Sequence, residues 1–177
     1  MDTDYVYEIL MQGNCGALVP GAWFLNGEKK VLVWDTDGLI GLYDADLRKI
    51  GNTGICNETG ALLELTVNLF SALRTANDWL IPVHMLDLTP KGIWLDPEVK
   101  KVLFMLKDQS SAAHIQDDRI DSYPKAAARL AGDLSEYFGS APASAAAARI
   151  AGSAQKGASL DDLIKLAVSQ RLFAGLV

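Results

Sequence analysis

The sequence predicts an α+β fold: an N-terminal antiparallel sheet, a long central helix, a β-hairpin and C-terminal helices. Short apolar runs with β-branched and aromatic members, broken by Gly, Asn and Pro, fill residues 5–43 and read as strands. An apolar period near 3.6 residues then runs through residues 59–80. Beyond residue 122 the chain is rich in Ala and helical in pattern. At 177 residues it fits a single domain: strands to about residue 50, a core helix over 57–80, a loop and hairpin over 83–106 and a helical arm over 122–177.

The expected strands are residues 5–11, 22–25, 30–35 and 39–43. Asn26-Gly27 separates the second from the third and Asp37-Gly38 the third from the fourth. Both dipeptides accept the positive φ angles of tight hairpin turns, so a four-stranded meander is expected. In the helix, Leu62, Leu65, Leu69, Leu73, Ala76 and Leu80 mark one face, with Asn57 or Thr59 as its cap. Leu63, Val67 and Phe70 widen that stripe, which predicts burial on two sides. Residues 93–95 and 101–106, joined through Asp96-Pro97-Glu98, read as the hairpin. The polar stretch 107–121 predicts a loop. Pro124 opens and Gly139 closes a helix with Leu130, Leu134, Tyr137 and Phe138 on one face. A short Ala-rich helix is expected over 141–151, and Ser159 with Asp162 forms a capping box before a last helix striped by Leu160, Leu163, Ile164, Ala167 and Val168.

Composition narrows function more than any motif does. Half the residues are apolar and 21% are charged, which excludes a disordered tail, a collagen-like repeat and a disulfide-stapled mini-protein. The 22 acids against 16 bases give a net charge of −6, a field that repels nucleic acid and anionic lipid heads. Cys15 and Cys56 stand without a CxxC or a His/Cys cluster and are expected as reduced thiols. The first residues lack a basic start followed by an apolar run, and no stretch reaches the ~20 apolar residues of a membrane span. A cytoplasmic location without membrane insertion is therefore expected.

Candidate chemistry is sparse. His84 and His114 have no ligand-spaced partners, so no zinc site is expected. Asp35-Thr36-Asp37-Gly38 with Asp44 imitates part of a calcium loop, but Val33 stands where its first carboxylate belongs, and a hairpin turn is the better reading. There is no G-x-S-x-G, and Gly13-Asn14-Cys15-Gly16 is neither a P-loop nor a dinucleotide fingerprint, which leaves a turn. Trp23, Trp34, Trp79 and Trp94 lie in the strand and helix stripes and are expected in the core. The strongest candidate constellation is His84, Asp87 and Lys91, a base, an acid and a cation within one loop. It would serve a small enzyme or ligand-binding protein. No metal and no cofactor are expected.

Residues 84–96, His-Met-Leu-Asp-Leu-Thr-Pro-Lys-Gly-Ile-Trp-Leu-Asp, resemble the catalytic loop of protein kinases, H-R-D-L-x-P-x-N followed by a hairpin. The resemblance implies a minimal kinase-like fold, since the loop follows a long helix and an N-terminal sheet. Departures from the motif fall on the residues that do the chemistry. With Asp87-Leu88-x-Pro90 matched, Gly92 stands where the magnesium-binding Asn belongs, and Met105 replaces the Asp of D-F-G. His84 lies one position too far upstream, and neither the V-A-I-K lysine nor a G-x-G-x-x-G loop is present.

A second similarity spans nearly the whole chain. Residues 7–11, Leu18-Val19-Pro20, residues 33–40, the Leu-rich helix and Leu86-x-Leu88-x-Pro90-x-x-Ile93-x-Leu95-Asp96 with Val102-x-Phe104 carry it. This pattern resembles an uncharacterised bacterial domain that, in Firmicutes, usually precedes a forkhead-associated domain. More distantly, it is similar to the pseudokinase-like cytosolic domain of type VII secretion membrane proteins. The resemblance implies a non-catalytic scaffold that binds protein partners in signalling or secretion assembly. No phosphopeptide-reading domain or transmembrane helix accompanies it here, so the chain is expected to be part of a longer protein or to work with separate partners. Residues 107–121 and 141–157 are the expected contact surfaces.

Overall fold

A computed structural model describes residues 4–27, 29–46, 58–107, 121–138 and 141–174. The fold is α+β, with five α-helices and two small antiparallel sheets among these residues. The chain opens with helix α1 (Asp4–Gln12), not the expected first strand. Val6 and Leu10, one helical turn apart, are both buried while Glu8, which an extended chain would set on the same face, is exposed. After the turn at Gly13, whose φ is +64°, strands β1 (Gly21–Asn26) and β2 (Lys29–Trp34) form a two-stranded ribbon. Its register pairs Trp23 with Leu32 and Phe24 with Val31. One face turns inward, where Trp23 meets the Tyr7 ring at 5.3 Å.

The predicted meander stops at this ribbon. Gly38 takes a φ of +74°, the Asp37 N–H donates to Asp35 Oδ1, and the Leu39 N–H donates to the Thr36 carbonyl. The expected turn therefore forms, but the strand beyond it leaves β2. Strand β3 is only Ile40–Gly41, and it pairs with β4 (Ile93–Asp96), which pairs in turn with β5 (Lys101–Phe104). Leu42 then buries completely in a single 3₁₀ turn, Leu42–Asp44. The far edge of β5 is covered by residues 17–19: the Val19 N–H donates to the Phe104 carbonyl and the Phe104 N–H to the Ala17 carbonyl.

Helix α2 (Glu58–Asp78) runs through the centre. Leu62, Leu65, Leu69, Leu73 and Ala76 are buried as the period predicts, and Leu63 and Phe70 are buried too, so the helix is covered on more than one side. The capping residue Asn57 lies outside the described residues. Leu80, the last expected stripe position, is 68% exposed, because the helix has already ended. There the Leu80 N–H donates to the Asn77 carbonyl and the Ile81 N–H to the Ala76 carbonyl, a Schellman closure. Leu80 stands at its left-handed position with φ +56°, where Gly is usual. Trp79 is 39% exposed and the other three Trp are partly buried, so none is a fully enclosed core residue.

Three helices follow: α3 (Tyr123–Tyr137), α4 (Ala141–Gln155) and α5 (Leu160–Ala174). Ala126, Ala127, Leu130, Ala131 and Leu134 of α3 and Ala146, Ala147 and Ile150 of α4 are buried, small side chains that let helices approach closely. Tyr137 is 58% exposed, against expectation, and Phe138 is partly buried. The region expected as an arm is thus built into the main core, which joins Val6 and Leu10 to Leu163 and Ala167. Of the two expected contact surfaces, residues 108–120 lie outside the described residues, and α4 commits one face to the core. No described helix is long and apolar enough to cross a membrane.

Candidate functional site

The segment after α2 is built from the backbone upward. Pro82 starts a 3₁₀ turn over Val83–Met85 in which Val83 and Met85 point into the core and His84, between them, is exposed. Leu86 then bridges to Leu106. Two hydrogen bonds frame that bridge, from the Asp87 N–H to the Met105 carbonyl and from the Lys107 N–H to the Met85 carbonyl, each 2.8 Å. Asp87 is thereby fixed at the mouth of the following turn.

Within the turn, Asp87 Oδ1 accepts the Thr89 N–H at 3.0 Å, an Asx turn that shapes the chain toward Pro90. The Gly92 N–H donates to the Thr89 carbonyl at 2.9 Å, and the Met105 N–H donates to the Gly92 carbonyl at 2.8 Å. Trp94 Nε1 reaches back to the Lys91 carbonyl at 3.1 Å. Gly92 is wedged against Asp87: a Cβ built there would lie 2.3 Å from Asp87 Cγ and 2.4 Å from both its Cβ and its carbonyl oxygen. Position 92 therefore accepts no side chain without rebuilding the turn.

The structure keeps His84, Asp87 and Lys91 on one short segment but gives them unlike surroundings. His84 and Lys91 are exposed, while Asp87 is half-buried with one carboxylate oxygen engaged by the turn. Among the described residues no three His, Cys, Asp or Glu side chains gather as a metal site would need. Cys15 is a buried thiol, and burial pushes its pKa up despite an N–H from Ala17 and the charge of Lys101, so it is a poor nucleophile at neutral pH. Cys56 and His114 lie outside the described residues.

A groove of about 250 Å³ opens elsewhere, between α2 and the β4–β5 turn. Asn68, Ser71 and Thr75 line one wall and Val99, Lys100, Lys101 and Val102 the other, with Gly16 at one end. Sequence reasoning passed over these residues. Their one visible signal was Lys-Lys after an Asp-Pro-Glu turn, which reads first as a solvated hairpin tip. No family model matches this chain, and no curated protein or solved structure matches it either.

Proposed function

We propose that this chain is a non-catalytic interaction domain with a kinase-like layout, a cytoplasmic scaffold for protein partners in bacterial signalling or secretion assembly. The observation that carries the proposal is the filled position at Gly92. Phosphoryl transfer needs a divalent cation held over the phosphates by a carboxylate and an amide. Matched to the kinase pattern, the amide position is a glycine whose missing side chain is required by Asp87 itself, and the second carboxylate position is Met105. Asp87 serves as the turn's own hydrogen-bond acceptor.

Other features support the same reading. A long buried helix, a braced turn and a hairpin follow one another as the resemblance implies. The outer side of the ribbon leaves Phe24, Val31 and Val33 in solvent, an apolar strip of the sort that contact surfaces use. The alternative, an enzyme or ligand site at His84, Asp87 and Lys91, draws less support from a turn that already takes one Asp87 carboxylate oxygen and leaves His84 and Lys91 exposed.

Thermal denaturation with ATP and Mg²⁺, alongside a phosphate-transfer assay, tests the proposal. No upward shift and no transfer are expected. A saturable, magnesium-dependent stabilisation abolished by Asp87→Asn would overturn it.

A further inference from the structure

The groove beside α2 contains two consecutive lysines. Lys101 opens β5 and Lys100 is the last residue of the turn before it, and both line the same groove. The β4–β5 turn accounts for this. Asp96 Oδ1 accepts the N–H groups of Glu98 and Val99, and the turn ends with Lys100 at φ +56°, in the left-handed region. A left-handed residue is what closes such a hairpin loop, so the turn itself fixes where the Lys100 side chain emerges.

Gly16 leaves room for the second lysine. A Cβ on it would lie 2.5 Å from Lys101 Nζ, so the ammonium rests in space that only glycine leaves open. Lys100 is engaged by Glu64 at 3.8 Å. Among the described residues Lys101 has no ion-pair partner. On the helix wall, Asn68, Ser71 and Thr75 stand at i, i+3 and i+7, one face of α2. Ala72 on the helix wall and Val99 and Val102 on the other add apolar surface. Glu64 balances Lys100, so Lys101 is the cation this groove offers in a chain of net charge −6.

We propose that the groove binds a phosphomonoester on a small organic carrier. Lys101 would take the phosphate oxygens with the Asn68 amide as a second donor, the Ser71 and Thr75 hydroxyls, whose protons go to the Val67 and Ser71 carbonyls, would accept from the carrier, and the apolar surface would meet its carbon skeleton. About 250 Å³ exceeds the needs of a bare phosphate and falls short of a drug-sized ligand. The inference does not depend on the scaffold reading, because it involves neither a nucleotide nor Asp87.

Amide chemical shifts of the full chain, followed at constant ionic strength against glycerol 3-phosphate and, separately, inorganic phosphate, test it. Saturable changes centred on Gly16, Asn68, Ser71, Thr75 and Lys101 are expected, with the ester bound more tightly than free phosphate. Lys101→Ala should weaken binding by about tenfold or more, since it removes the main charged donor. Gly16→Ala should weaken it comparably by displacing the same ammonium, and because only the tip of a flexible side chain must move, this variant reads the contact even if Lys101→Ala fails to fold. Lys165→Ala, exposed on α5, should bind as the parent does. Unsaturable shifts, shifts spread evenly over the surface lysines, inorganic phosphate binding as well as the ester, or unchanged binding in Gly16→Ala would each overturn the proposal.

Discussion

At the scale of single residues, what a side chain excludes matters as much as what it contacts. The kinase pattern already showed from sequence that residue 92 is not an asparagine, but not that it must be a glycine, because the reason lies in the Asp87 side chain packed onto it. Gly92→Ala should therefore destabilise the fold by about 2 kcal/mol, the usual range for forcing a methyl into a filled site. Urea denaturation of the variant checks this, and an unchanged midpoint would mean that the turn has slack. Lys100 and Lys101 teach the converse lesson. Nothing in a Lys-Lys dipeptide announces a left-handed residue, so the convergence of their side chains was invisible before the backbone was known.

At the scale of elements, legibility followed how local the decisive contacts are. The capping box of α5 was readable because both partners lie within one turn. The Ser159 hydroxyl donates to Asp162 Oδ2 at 2.7 Å, and the Asp162 N–H donates back to Ser159 Oγ at 3.2 Å. The first of these bonds holds the Asp162 carboxyl below its ordinary pKa, as an N-terminal cap should. Ser159→Ala should cost about 1 kcal/mol, measured as a lowered urea midpoint with unchanged slope. Helix α1 was misread because residues 5–11 form a nearly unbroken apolar run with Glu8 as its one polar member, and so short a run suits a strand or a helix alike. The meander failed for a different reason. Its second turn forms as expected, but Ile40 finds its partner in Leu95, far along the chain, and no local pattern encodes that choice.

At the scale of the whole molecule, tyrosines fasten distant parts together. Tyr5 of α1 donates to the Leu80 carbonyl and Tyr123 of α3 donates to the Ile81 carbonyl at 2.5 Å, so both grip the end of α2. Tyr43, beyond β3, meets Tyr137 edge-on with ring centres 4.9 Å apart. Burial raises the pKa of Tyr123 and pushes that of Tyr43 from 10.0 to about 12, with Asp133 adding to the latter. Both groups hold their protons more tightly when folded. Their contribution to stability is therefore complete below pH 10 and is lost as the pH rises from there through 12. Melting temperatures taken across that window should fall, and Tyr43→Phe should blunt the fall. A parallel decline in parent and variant would remove Tyr43 from the account. The α+β plan and the central helix were legible because burial imposes their period on the sequence. The union of the C-terminal helices with the main core was not, since an Ala-rich face looks alike whether it meets solvent or another helix.

The covering of β5 by residues 17–19 has a consequence for how copies of this protein would meet in a crowded solution. One rim of the three-stranded sheet is sealed by its own chain, and the other ends after the two residues of β3, too short to template a newcomer. The β1–β2 ribbon has no such guard: no third strand flanks it among the described residues, and Phe24 and Val31 stand outward on it. Intermolecular strand pairing, and any fibre that grew from it, would begin on the ribbon, so a charge introduced at Phe24 is the natural place to forestall it.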